Sequence, residues 1–185
     1  MTTATNSGSE SLGKADVVMR MATMSDFDTV WQIIQEAKQL MARTGRTQWN
    51  ANYPAEFHIR KDLESSNACV LELHGRIAAY GVVALNGEEA YEHLECGAWQ
   101  TSGDYYVGHR LAVAASFRGN GVAGMFLGKV AEKCRRTGVG SIRVDTNFDN
   151  TGMLSVLTKL DFVPCGRVCY PVNGERLVYE KVISG

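Results

Sequence analysis

The stretch Arg118-Gly119-Asn120-Gly121-Val122-Ala123-Gly124 decides the reading of this chain, because it lies between a segment patterned as a strand and one patterned as a helix. Upstream, residues 105–113 are aromatic and β-branched enough to predict a strand. Downstream, Val122, Phe126, Val130 and Cys134 recur every four residues, with Ala123, Leu127 and Ala131 alongside. That spacing predicts a helix, closed by Thr137-Gly138.

The start of this helix lacks the acid that usually meets its unpaired N–H groups, since the first carboxylate is Glu132. Another anion suits that place. Gly119, Gly121 and Gly124 let phosphate oxygens approach the backbone without a Cβ in the way, and Arg118 adds a charged donor. The plainer alternative is that Asn120 caps an ordinary helix and the glycines only turn the chain. A Walker loop is excluded, because no Gly-Lys is followed by Ser or Thr. Gly119, Gly121 and Gly124 do match the dinucleotide fingerprint, with Asp145 at a suitable distance beyond them. That domain, however, alternates strand and helix from its beginning, and the first half of this chain does not.

At 185 residues with 45% hydrophobic content the chain suits one domain with a full core, and no internal repeat argues for two. A formal net charge of −1 gives no bulk attraction to nucleic acid or membrane, so neither is expected as a partner and any anion site is local. Cys69, Cys96, Cys134, Cys165 and Cys169 form no C-x-x-C pair, and their odd number prevents complete pairing. They suit a reducing compartment, and the expectation is a cytoplasmic protein. Residues 1–16 are polar, without an apolar signal-peptide core, and are expected as a flexible leader before a domain over residues 17–185. No later apolar run reaches membrane-spanning length.

Residues 17–22 predict a short strand. Ser25-Asp26-Phe27-Asp28 resembles a capping box with Asp in place of Glu, and Phe27, Val30, Trp31, Ile34, Ala37, Leu40 and Met41 supply the helical face that follows, ended by Gly45. Residues 45–54 have no period but carry Trp49 and Tyr53 in a loop, where these aromatics either touch a substrate or form a lid on the core. Pro54 opens a second helix that runs to about Glu64. Residues 68–73 and 76–85 flank His74-Gly75 as a hairpin, and Asn86-Gly87 turns the chain again. Residues 88–95 read as a short helix whose acids, Glu88, Glu89, Glu92 and Glu95, either bind a cationic substrate or face solvent. After the central helix come a strand at 141–146, a helix bearing Met153, Leu154, Leu157 and Leu160, and strands at 162–170 and 176–182 joined through 171–174. This order predicts a single α/β (α+β) domain, a mixed and mostly antiparallel sheet with helices on both faces.

The pattern resembles the GNAT superfamily of acyl-CoA N-acyltransferases. Its phosphate-binding signature is Gln or Arg, two residues, Gly, one residue, then Gly or Ala, and Arg118, Gly121 and Ala123 fill the three fixed positions. The approach from Arg110 to Arg118 has the family's spacing, as do Asp145-Thr146-Asn147-Phe148-Asp149-Asn150, the helix after them and Phe162. The resemblance covers residues 17–185. It implies an acetyl-CoA-dependent N-acetyltransferase, without metal, that acts on a small-molecule or peptide amine by direct transfer in a ternary complex. The homodimer is a family habit.

By the same resemblance, the backbone of Leu111 and Val113 holds pantetheine as a strand edge holds a peptide. The pyrophosphate lies on the amides of Gly119, Asn120, Gly121, Val122, Ala123 and Gly124. Asn150 hydrogen-bonds the pantetheine arm, or serves as the N-cap of the next helix, or does both. His109, whose residue type titrates near neutrality, is the first choice for general base and Glu92 or Glu95, through water, the second; the alternative for His109 is a structural role. The acceptor is expected beside Trp49, Tyr53 and Glu95. Two positions depart from the family pattern. Leu157 stands where many members carry a tyrosine that protonates the leaving thiolate, and Asp161 replaces the glycine before Phe162. Leu157 motivates a rival reading, an acyl-CoA-binding sensor with little or no catalysis.

Overall fold

The structure, a computed structural model, describes residues 17–171 and 174–184. The leader assigned to residues 1–16 and the middle of the turn assigned to 171–174 lie outside the described residues. Strands β1 (Val17–Met21), β2 (Ala68–Leu73), β3 (Arg76–Leu85), β4 (Cys96–Gly97), β5 (Tyr105–Val113), β6 (Ser141–Thr146), β7 (Val163–Tyr170) and β8 (Gly174–Val182) build one sheet in the order β1-β2-β3-β5-β6-β8-β7-β4. Every neighbouring pair is antiparallel except β5 with β6. The mixed, mostly antiparallel sheet expected from the element order is what forms.

The apolar stripes decide which face each helix covers. Helices α1 (Phe27–Arg43) and α2 (Glu56–Glu64) bury Phe27, Val30, Ile33, Ile34, Ile59 and Leu63 against Ala68, Val70, Tyr80, Val82 and Ala112. Helices α3 (Val122–Thr137) and α4 (Thr151–Lys159) bury Phe126, Leu127, Val130 and Leu157 against Leu71, Leu73, Ile142 and Val144 on the opposite face. β2 is thus an almost unbroken apolar run because consecutive residues face different helices. Each such aliphatic side chain contributes about 1.5–3 kcal/mol on burial. Close packing of α3 depends on Gly81 in β3, where an added Cβ would stand 2.7 Å from Cζ of Phe126.

Three local expectations are corrected. The short helix assigned to residues 88–95 is only a 3₁₀ turn over Glu89–Glu92, and β4, which no periodicity announced, follows it and pairs with β7. Burial of the Tyr91 side chain and donation from Trp99 Nε1 to the Tyr91 carbonyl, at 2.9 Å, take that carbonyl away from a continuing helix. The carboxylate that caps the first helical segment is Asp26, accepting from Thr23 N at 2.8 Å, rather than Asp28. Thr23 has extended backbone and precedes a 3₁₀ turn, Met24–Asp26, that runs into α1. The second helix begins at Glu56, after an extended Ala55, and not at Pro54.

Candidate active site

β5 and β6 are paired only from Tyr105↔Ser141 to Gly108↔Val144. Beyond Gly108, β5 continues against β3 alone and β6 against β8, so a wedge opens between two formally adjacent strands. The cause is a bulge in β5. Its register with β3 jumps between Tyr80↔Ala112 and Val82↔His109, and Arg110 takes φ +50°. A left-handed backbone costs a residue with a Cβ about 1–2 kcal/mol, so the bulge needs support. Arg110 supplies it as a fork on Asp62, with Nε to Oδ2 at 2.7 Å and Nη2 to Oδ1 at 2.6 Å. Tyr80 Oη donates to the same carboxylate at 2.8 Å, and Arg110 Nη1 donates to Tyr53 Oη at 3.1 Å. Bidentate charge-assisted bonds of this kind are strong enough to hold one strained residue.

The glycine turn leads from the unpaired end of β5 into α3, whose Phe126 and Leu127 line the cleft while residues 118–124 do not. Gly119 and Gly121 have φ +82° and +73°, and Gly121 is the N-cap of α3. No side chain caps that helix and its first turn carries no acid. The alternative in which Asn120 serves as the cap is therefore corrected. Space beside Gly119, Gly121 and Gly124 is open to at least 4 Å, which leaves the amides of the first turn, including those of Val122 and Ala123, approachable. Arg118 Nε donates to the carbonyl of Val113 at 3.1 Å, while its Nη2 is buried without a partner among the described residues. Of the two strand residues expected to present backbone, Leu111 lines the cleft in the wedge, and the Val113 carbonyl is already engaged by Arg118. Asn150 is the N-cap of α4, accepting from Met153 N at 3.4 Å, and it also lines the cleft. Its Nδ2 donates to Thr146 Oγ1 at 3.1 Å and to Gln48 Oε1 at 3.4 Å, which ties the 45–54 loop to the end of β6.

At the point of splay stands His109. Its Nε2 is 3.2 Å from Glu88 Oε2 and its Nδ1 is 3.8 Å from Asp145 Oδ1. Asp145 accepts from Tyr91 Oη at 2.8 Å and from Tyr170 Oη at 3.3 Å. Burial alone would raise the Glu88 carboxyl, but the His109 imidazole and the Ala90 amide overcome it and hold it below the ordinary carboxylate range. Burial, reinforced by the Asp145 charge, pushes both the Tyr91 and Tyr170 phenols well above theirs. Glu88, His109, Asp145 and Tyr170 all face the cleft, and so do Trp49 and Tyr53. Trp49 is also packed in the α1–α2 core, as the lid role requires, while one side of it lines the cleft.

Glu92 and Glu95 are exposed and do not line the cleft; the acid brought to His109 from that segment is Glu88. Asp145, which the sequence offered as the acid of a dinucleotide site and as the start of the run that resembles the family, but not as a partner of His109, is the other. Periodicity gave no signal for it, because β6 reads Ser-Ile-Arg-Val-Asp-Thr and Ile142 and Val144 are its two apolar residues. Leu157 is fully buried in the α3–α4 core and faces no cleft. Asp161 follows α4 with φ +57°, a left-handed conformation that explains why glycine is the easier residue there. Among the described residues no cluster of three His, Cys, Asp or Glu is arranged to hold a metal. No helix among them is long and apolar enough to cross a membrane.

With this geometry in hand, the chain can be set beside known proteins. A sequence profile described as the Acetyltransferase (GNAT) family matches residues 29–162. No curated protein sequence matches the chain. Among solved structures, a GNAT-family acetyltransferase from Streptococcus agalactiae is 32% identical with a TM-score of 0.83, over 91% of this chain and 96% of its own. A GNAT-family acetyltransferase from Listeria monocytogenes shares the fold at 18% identity and a TM-score of 0.70, over 90% of this chain and 94% of its own. A Salmonella typhimurium protein solved with its cofactor acetyl-CoA does so at 13% identity and a TM-score of 0.63, over 91% and 95%.

Proposed function

The chain belongs to the Acetyltransferase (GNAT) family, and from that premise we propose that it moves an acetyl group from acetyl-CoA to a primary amine by direct transfer in a ternary complex. The carrying observation is the wedge, with His109 between two carboxylates at its splay and an uncapped, glycine-lined helix start beyond the unpaired end of β5. Acetyl-CoA supplies an activated thioester. The amides of residues 119–124 and the Arg118 guanidinium are the fit for its pyrophosphate, the free side of β5 at Leu111 for the pantetheine amides, and Asn150 for the same arm. Use of acetyl-CoA by the Salmonella relative is consistent with this.

The acceptor enters beside Trp49 and Tyr53. An amine arrives protonated, and Glu88 and Asp145 attract it; attack requires the neutral form. His109 takes the proton, with Glu88 ionised at one ring nitrogen and Asp145 near the other. Glu88 is thus the acid beside the base, a different role from the water-mediated base for which Glu92 and Glu95 were weighed. Tyr91 and Tyr170 are held neutral and are weak acids, so they fix Asp145 and are poorly matched to protonate a departing thiolate. A thiol near pKa 8.5 leaves as thiolate without help from a phenol, which makes a leucine at position 157 compatible with turnover. The free thiols of all five cysteines suit a reducing compartment, and a cytoplasmic location is part of the proposal.

Titration calorimetry and thiol release over an amine panel test the proposal together. Expected are heat on adding acetyl-CoA, at least tenfold weaker binding for Arg118→Glu, and intersecting lines in two-substrate kinetics. Ping-pong kinetics, or an acyl-cysteine by mass spectrometry, would overturn direct transfer. The buried Leu157 favours one other reading, the acyl-CoA sensor, which predicts binding of acetyl-CoA with no acceptor turned over.

A further inference from the structure

Three arginines are drawn into the interior of the sheet, Arg110 and Arg176 at the cleft and Arg143 at the paired end of β5 and β6, and two of them have carboxylates. Arg110 is forked on Asp62 and Arg143 is bonded to Glu180. Arg176 is the exception. It is 7% exposed, it lines the cleft, and its one hydrogen bond among the described residues runs from Nη1 to the neighbouring Glu175 carbonyl at 3.0 Å. No ion pair holds it among those residues. Its Nε and Nη2 have no protein partner among the described residues, yet neither is fully buried, so a planar fork suited to a carboxylate is open at the residue that lines the cleft.

The position of Arg176 says which molecule would bring that anion. In the β6–β8 register Asp145 faces Val178, and Arg176 is two residues further along β8 on the same face, opposite Val168 of β7. The cleft thus carries Glu88 and Asp145 around His109 and, one step along the sheet, a cation that neither acid neutralises by direct contact. A cation without a protein counter-charge and, beside it, two acids gathered about one imidazole make the cavity complementary to a small zwitterion. We propose that the acceptor is an amine carrying a carboxylate, of the amino-acid class, with its nitrogen at His109 and its carboxylate on Arg176, which acts as the specificity-determining residue. The inference rests on reading this cleft as the acceptor site of an acetyltransferase. A phosphorylated amine would offer the same fork an anion of different shape, so the test includes it.

The test is a thiol-release assay on amino acids, each paired with the amine left by its decarboxylation and, where one exists, with a phosphorylated amine of similar size. The wild type is expected to favour the carboxylate member by about 30-fold or more in kcat/KM, as for a buried charge pair losing one partner. Arg176→Gln is expected to collapse that ratio toward unity, chiefly through KM, with Arg176→Lys between them because it keeps the charge and loses the fork. Calorimetry with acetyl-CoA certifies that each variant is folded, and the lysine variant carries the comparison if the glutamine variant is not. A wild-type ratio at or below one, a preference for the phosphorylated amine, or a ratio unmoved by either folded variant would overturn the proposal. If acetyl-CoA binds but nothing is acetylated, the same pairs are titrated into the acetyl-CoA-loaded protein. Carboxylate-dependent heat that disappears in the variants would then uphold the Arg176 site while transfer fails, and no heat from either member would overturn both.

Discussion

At the scale of single residues, chemistry is concentrated in the ring of contacts about His109. Its two nitrogens meet different acids, and the two are held differently: Tyr91 bonds Asp145 on β6, the Ala90 amide bonds Glu88 in a loop at 3.2 Å, and the Tyr170 hydroxyl reaches both. In the proposed mechanism Asp145 orients the ring and Glu88 is the group that shares a proton with it. His109→Gln and Glu88→Gln are each expected to lower kcat/KM by about 10²–10⁴-fold, the range general-base groups contribute, in steady-state assays at neutral pH. The sign of the pH effect follows from the lowered Glu88 carboxyl. It stays ionised through the neutral range and is lost only as pH falls through a value below the ordinary carboxylate range, so any acid limb from Glu88 lies there. A kcat/KM profile should show that limb in the wild type and not in Glu88→Gln; an identical profile in both would remove Glu88 from the mechanism.

At the scale of elements, the bulge in β5 opens the wedge, and the unpaired end of that strand leads on to the start of α3. Gly121 combines a left-handed φ with open surroundings, so Gly121→Ala meets no clash and pays only the backbone term, about 1–2 kcal/mol. If residues 119–124 form an anion seat, that variant should lose acetyl-CoA affinity beyond its loss of stability, read by calorimetry beside urea unfolding; loss of stability alone would make the turn merely structural. Much of this was readable in the chain. β2, β3, β5, α3 and β6 begin and end where alternation, four-residue spacing and Gly138 put them, because local pattern and burial agree there. The Glu88–His109 and Tyr91–Asp145 contacts were not readable, since no period links residues 21 or 54 apart and only strand register brings them together. Glu92 and Glu95 were singled out instead of Glu88 for the same reason: which acid of a loop turns inward is set by Tyr91 going under the loop.

At the scale of the molecule, the wedge has to be kept open by a sheet that does not close over it, and the far end of β5 is where that is decided. There the Glu180 carboxylate, fully buried on β8, accepts from Ser141 Oγ and Thr101 Oγ1, both at 2.7 Å, and from Arg143 Nε at 3.0 Å. Arg143 in turn lies over the Tyr105 ring, 3.8 Å from its centroid, and donates to the Thr101 carbonyl at 2.6 Å. One ion pair thus clamps β5, β6, β8 and the loop before β5, so that the strands are parallel neighbours at this end and diverge at the other. Removing one member of such a pair leaves the other buried and unpaired, which costs about 3–5 kcal/mol. Glu180→Gln is therefore expected to lower the melting temperature by roughly 10 °C at pH 7. Burial would raise the Glu180 carboxyl, but Thr101, Ser141 and Arg143 overcome it and hold it low. A depressed carboxyl contributes stability that is complete above its unfolded pKa and is lost as pH falls through the folded one. The gap between wild type and Glu180→Gln, followed by urea unfolding, should therefore narrow on acidification below the ordinary carboxylate range, and a gap constant in pH would mean that packing of the side chain rather than its charge holds the strands.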